Sequence, residues 1–205
     1  PIIFVIGIFL LVVFAEGIHV NIPIAMGQTG AGGRYPVKLL YVSNMPVILA
    51  AALFANIQLW SAITASIPYV NTFTSGLAWA TSFPQVGGGF SLLEGLLTLG
   101  ITSTTASEVL QAIVYILLLC VACVVFGRFW IELGGQGSKA VSEQLDRSGM
   151  SIPGFRRDPR IMQKVLDRYI PHVTILGSLF VGLLAGLADI TTASLVSGTG
   201  VLLTV

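Results

Sequence analysis

The sequence predicts an all-α, polytopic membrane protein, and three observations carry that prediction. Of its 205 residues, 55% are hydrophobic and only 9% charged, with a mean hydropathy of +0.91. A water-soluble domain carries about 25% charged residues, so this chain cannot cover its apolar surface with polar groups. The apolar residues also fall in long runs, and three of these reach the roughly 20 residues that a bilayer-crossing helix needs. Finally, the basic residues are segregated. Arg34 and Lys38 follow the first run, and the other eight lie between Arg128 and Arg168.

Taken in order, the runs read as spans at 1–18, 39–60, 109–131, 170–188 and 195–205. The first and last are short and run off the chain ends, as expected of a piece of a longer protein. No basic region precedes the first run, which reads as a helix cut in its middle and not as a signal peptide. Lys and Arg cluster in or beside the connections 19–38 and 132–169, whereas 61–108 holds none and contains Glu94 and Glu108. An excess of Lys and Arg marks cytoplasmic loops. The two basic connections are therefore expected in the cytoplasm and 61–108 outside.

The connections differ in chemistry. In the first, "GQTGAGGR" (27–34) half-resembles a phosphate-binding loop, but the Lys-Ser/Thr pair that completes such a loop is absent. A flexible hairpin with Arg34 near its tip fits the residues better. The outer connection contains "FSLLEGLLTLGI" (90–101), Leu-rich enough for a short interfacial helix or a re-entrant element. In the second basic connection, "SKAVSEQLDR" (138–147) reads as an amphipathic helix with Ser138 as its N-cap. A Pro-Gly turn follows. Asp158 before Pro159 then marks a new helix start, expected to run toward the fourth span and to be disturbed at Pro171. Arg156 and Arg157 come to a protruding tip, which serves either as a solvated loop or as a docking point for an anionic partner.

Enzyme chemistry finds no support. There are no paired intramembrane carboxylates, no HExxH and no Ser-His-Asp arrangement, and no cofactor or metal site is expected. Cys120 and Cys123 form a CxxC inside the third apolar run, without a His or acid to complete a metal shell, and read as packing residues. His19 and His172 lie at membrane boundaries, not in a cluster. A secondary transporter remains the alternative from another class, although it calls for polar groups converging at the midplane.

The stretch "YPVKLLYVSNMPVILAAALFANIQLW" (35–60) resembles the SecY family, the large subunit of the protein translocation channel, in its archaeal form. "AEGIHVNIP" (15–23), "GFRRDPRIMQKVLDRYIP" (154–171) and "SGTGVLLTV" (197–205) agree with it, and 61–108 agrees least. The resemblance implies a C-terminal half of that subunit, one side of an inverted-repeat clamshell around a pore ringed by aliphatic side chains. It places Ile48 and Leu203 at ring positions and Asn56 on the polar residue of a lateral gate, and it matches Arg156 to a functional Arg of a cytoplasmic loop. It also implies partners. These are SecE-type and small beta-type subunits, signal peptides and nascent chains, surrounding lipid, and a ribosome whose RNA phosphates meet Arg34, Lys38, Arg156 and Arg157. The plasma membrane is the implied location. His19 and Asn21 depart from the family, which usually has a basic and an acidic residue there.

Within 41–60, Pro46 is expected to bend the helix just before the pore. Ile48, Ala52 and Asn56 share one face at i, i+4, i+8 spacing. Gln58 reads as an ordinary interfacial amide.

Overall fold

A computed structural model of the chain describes residues 2–17, 19–26, 32–38, 45–82, 85–86, 90–91, 106–147, 150–151 and 159–192. In chain order the elements are helix α1 (Ile2–Glu16), strands β1 (His19–Met26) and β2 (Gly32–Lys38), and helices α2 (Met45–Ile63) and α3 (Pro68–Thr81). Short strands β3 (Gln85–Val86) and β4 (Phe90–Ser91) precede helix α4 (Ala106–Leu133). Helix α5 (Ser138–Arg147), strand β5 (Met150–Ser151) and helix α6 (Pro159–Thr192) complete the described fold. It is a helical bundle, with strands only in the connections. Segments Met45–Ser66, Ser107–Gln144 and Gln163–Ile190 are long and apolar enough to cross a membrane.

The seam between α4 and α6 is the most extensive helix–helix interface in the described fold. Lipid is as apolar as leucine, so membrane helices associate where small residues let their backbones approach. On α6, Ser178, Gly182 and Gly186 recur every fourth residue, flanked by the fully buried Ala185 and Ala188. A methyl group at Gly182 would lie 3.2 Å from the Cys120 Cα and the Cys123 Cβ; at Gly186 it would lie 3.0 Å from Ile116 Cγ1. Cys123 is fully buried and Cys120 half-buried, both as free thiols, so this CxxC packs against a glycine. The core extends from this seam to α2 through Val47, Ala50 and Phe54 and to α1 through Val12.

The α4–α5 turn follows from its glycines. Gly135 has φ +63°, the left-handed region that costs a residue with a Cβ. The Gly134 N–H donates to Trp130 O at 2.7 Å and the Gln136 N–H to Ile131 O at 3.1 Å, which satisfies carbonyls at the end of α4. Helix α5 then begins at Ser138, as the sequence predicts, but Ser138 does not cap it. Gly137 O accepts the first helical bond from the Val141 N–H at 3.0 Å, and the Ser138 hydroxyl instead donates to Asp167 Oδ1 on α6.

Two prolines bear on the expected course of the helices. Helix α2 starts at Met45, so Pro46 lies in its first turn, where a backbone N–H has no helical partner and proline costs nothing. It does not bend the helix ahead of Ile48. Helix α6 runs for 34 residues with Pro171 inside it, so the disturbance expected there does not end the helix. Neighbouring helices and side chains let a membrane helix carry an internal proline. The 90–101 segment lies outside the described residues beyond Ser91.

Candidate functional site

Helix α2 divides into two sides. Val47, Ala50 and Phe54 are buried against the core, and the Phe54 ring meets Tyr115 of α4 edge-on at 5.9 Å. The opposite side carries Ile48, half-buried, with Ala52 and Asn56 both exposed. At 100° per residue the Ile48–Ala52–Asn56 row lies nearly opposite the buried row. The chain thus packs α2 by one face and leaves the face bearing the expected ring and gate residues open. The Asn56 side-chain amide donates to Ala52 O on its own helix at 2.8 Å, which lowers the cost of an amide in an apolar span.

Gln58, read from sequence as an interfacial amide, has a partner within the chain. Its Nε2 donates to Thr81 O at the end of α3 at 3.1 Å. Gln111 of α4 donates to Trp79 O at 3.0 Å and to Ser82 Oγ at 3.0 Å. The last four carbonyls of a helix have no partner within it. Two amides from two spans therefore cap α3. The sequence signal was present as polar residues inside apolar runs, but their partners lie 23 and about 30 residues away.

A third polar feature was also missed. Asp189 of α6 is only 3% exposed and accepts a hydrogen bond from the Tyr115 hydroxyl at 2.7 Å. Through Phe54, Tyr115 and Asp189, one chain of contacts crosses α2, α4 and α6. A buried carboxylate is costly without such a donor, so this pair fixes how α4 and α6 register.

The basic connections meet in a sheet ordered β2-β1-β5. Strand β1 pairs antiparallel with β2 from His19↔Lys38 to Ala25↔Gly32, which puts Arg34 opposite Pro23. Its last residues pair with the second connection, Ala25↔Ser151 and Met26↔Met150. The hairpin end and the segment leading toward Arg156 and Arg157 therefore start side by side. Arg156, Arg157 and Leu203 themselves lie outside the described residues. Nearby in chain order, a cleft of about 370 Å³ opens between the Arg128 end of α4 and α6, lined by Arg128, Glu132, Ser138, Ile170, Pro171 and Thr174 among others.

Comparison with known proteins agrees with this arrangement. The SecY family model matches residues 1–205. The chain is 44% identical over 208 residues to protein translocase subunit SecY of Methanococcus vannielii, covering 100% of this chain and 45% of that protein. It is 42% identical over 202 residues to the subunit of Pyrococcus furiosus, covering 97% of this chain and 41% of that one. A solved structure of a protein-conducting channel superposes with a TM-score of 0.76 at 42% identity, covering 100% of this chain and 45% of that chain. A second, from work on the SecY plug domain and the closed channel, gives 0.73 at 39% identity, covering 100% of this chain and 46% of that chain. The chain spans about half the length of the relatives it matches. With the whole chain matched by the family model, and with such relatives, it belongs to the SecY family.

Proposed function

We propose that this chain forms the C-terminal half of a SecY channel subunit, which translocates secretory polypeptides and releases hydrophobic segments sideways into lipid. The observation that carries this reading is the open face of α2. A helix packed on one side by Val47, Ala50 and Phe54 keeps Ile48, Ala52 and Asn56 available to a second half of the channel. Ile48 and Leu203 contribute aliphatic side chains to the pore ring. Such a ring closes around a peptide without specific bonds and forms a hydrophobic constriction that resists hydrated ions. Asn56 sits at the lateral gate and exchanges its bond to Ala52 for one across the seam.

In this reading both basic connections face the cytoplasm of a cell whose plasma membrane holds the channel. Arg34, Lys38, Arg156 and Arg157 meet ribosomal RNA phosphates, and the pairing of β5 with β1 supports a single docking surface made from both loops. SecE-type and small beta-type subunits complete the assembly, and signal peptides and nascent chains are its substrates. Family membership favours this reading over a solute transporter. No covalent chemistry is assigned to the chain.

The test is conductance. In the full-length subunit reconstituted into planar bilayers, Ile48→Gly removes a ring side chain and is expected to raise resting ion current. Current equal to that of the unaltered channel overturns the ring assignment.

A further inference from the structure

Helix α3 lies in the stretch expected from sequence to be an external connection, and it does not extend into solvent. It doubles back along α2: Thr64 Oγ1 and Thr74 Oγ1 are 2.9 Å apart, and seven residues later Thr81 O receives the Gln58 amide at 3.1 Å. On its other side Gln111 of α4 reaches Trp79 O and Ser82 Oγ, both at 3.0 Å. A helix end in water needs no such capping, because water satisfies its carbonyls. At the edge of the hydrocarbon each unsatisfied carbonyl costs several kcal/mol. The clamp thus has the form that a helix dipping into the membrane requires.

The clamp also sets how α3 is rotated. Thr74, Ala78 and Thr81 form the edge turned toward α2 and α4, with Thr81 fully buried. To one side of that edge stand Val70, Phe73 and Leu77, all exposed, with Phe73 at 71%. To the other side stand Thr72, Ser75 and Gly76, also exposed. An exposed helix with one apolar and one polar flank is built to lie in the boundary between lipid and water. Trp79, half-exposed at the capped end, continues the Thr72–Ser75 row by one turn, and its amphipathic ring is of a type enriched at the boundary itself. The apolar flank is continuous with a helix that itself crosses the bilayer, because only Thr64–Ser66 and Ile67 separate α3 from α2.

We infer that α3 is an interfacial anchor. Its Val70–Phe73–Leu77 flank rests on the lipid of the leaflet nearest the α2–α3 turn, while its Thr72–Ser75 flank faces water. Gln58 and Gln111 are the positioning residues that hold it at that angle. The inference needs α2 and α4 to span the membrane and is independent of the channel reading.

The experiment uses the full-length protein in phosphatidylcholine vesicles containing a lipid spin-labelled near its headgroup. Phe73→Cys and Ser75→Cys are each tagged with an environment-sensitive fluorophore, and the parent protein supplies the blank for Cys120 and Cys123. Val70→Cys repeats the apolar flank in case one variant misfolds. Lipid quenching is expected to be about twofold or more stronger at 70 and 73 than at 75, as an interfacial helix requires. Position 75 should react faster with a membrane-impermeant maleimide. Equal quenching on both flanks overturns the anchor. So does a Phe73→Cys label that is shielded from maleimide yet unquenched by lipid, since protein and not lipid then covers that flank.

Discussion

Gly182 and Gly186 lie one turn apart on α6, yet a methyl group meets different obstacles at each. At Gly182 it would approach the Cys120 Cα and the Cys123 Cβ at 3.2 Å, and backbone cannot step aside. At Gly186 the nearest atom is Ile116 Cγ1 at 3.0 Å, carried on a branched Cβ that is stiff in a helix. Replacing glycine by alanine inside a helix gains about 1 kcal/mol of backbone preference. Overpacking costs about 1–3 kcal/mol. Gly182→Ala and Gly186→Ala are therefore both expected to lower the thermal unfolding temperature of the detergent-solubilised protein. Unchanged or raised temperatures would mean that α4 and α6 do not approach closely at these glycines. The reading of Cys120 and Cys123 as packing residues holds for the same reason: both lie against the glycine at 182, where there is no room for a Cβ. The Tyr115–Asp189 bond was not legible, because two polar residues 74 positions apart carry no local sign of being partners.

At the scale of elements, the three long apolar runs coincide with the three helices long and apolar enough to cross a membrane, but not with those helices' ends. Burial in lipid sets where apolar runs must be, whereas helix ends answer to hydrogen bonding at a few backbone groups. Pro46 shows the difference. From composition it looked like an interruption, but α2 begins one residue before it, where proline is harmless. Helix α3 was missed because its residues carry no long apolar run, and what holds it is a pair of glutamines on other helices. Helix α5 was legible because its amphipathic pattern is local. The turn before it depends on Gly135 at φ +63°, where a Cβ costs about 1–2 kcal/mol. Gly135→Ala is expected to destabilise the protein by about that amount, and Gly135→Asn by less, since asparagine tolerates the left-handed region. Equal melting temperatures for the two variants would show that the turn does not depend on that conformation.

Among the described residues, strands β1, β2 and β5 and helix α5 gather together. The sheet order β2-β1-β5 makes two connections, distant in sequence, into one surface. The charges of the two connections were legible in the sequence; the pairing of residues 25–26 with 150–151 was not, because it leaves no periodic trace. A surface that recognises RNA by its phosphates releases counterions on binding, so its affinity falls as salt rises. On the proposed docking role, Arg156→Glu with Arg157→Glu removes two cations that would meet those phosphates. In the full-length channel, ribosome affinity is then expected to fall most at low salt. The slope of log affinity against log salt should flatten by about one unit for each phosphate that is no longer neutralised. Adding Arg34→Glu tests whether the two loops act together, since substitutions at separate surfaces add while those on one surface couple. Simple additivity with Arg34→Glu would argue for two independent loops. An affinity that does not change across the salt series would reduce the Arg156–Arg157 tip to a solvated turn.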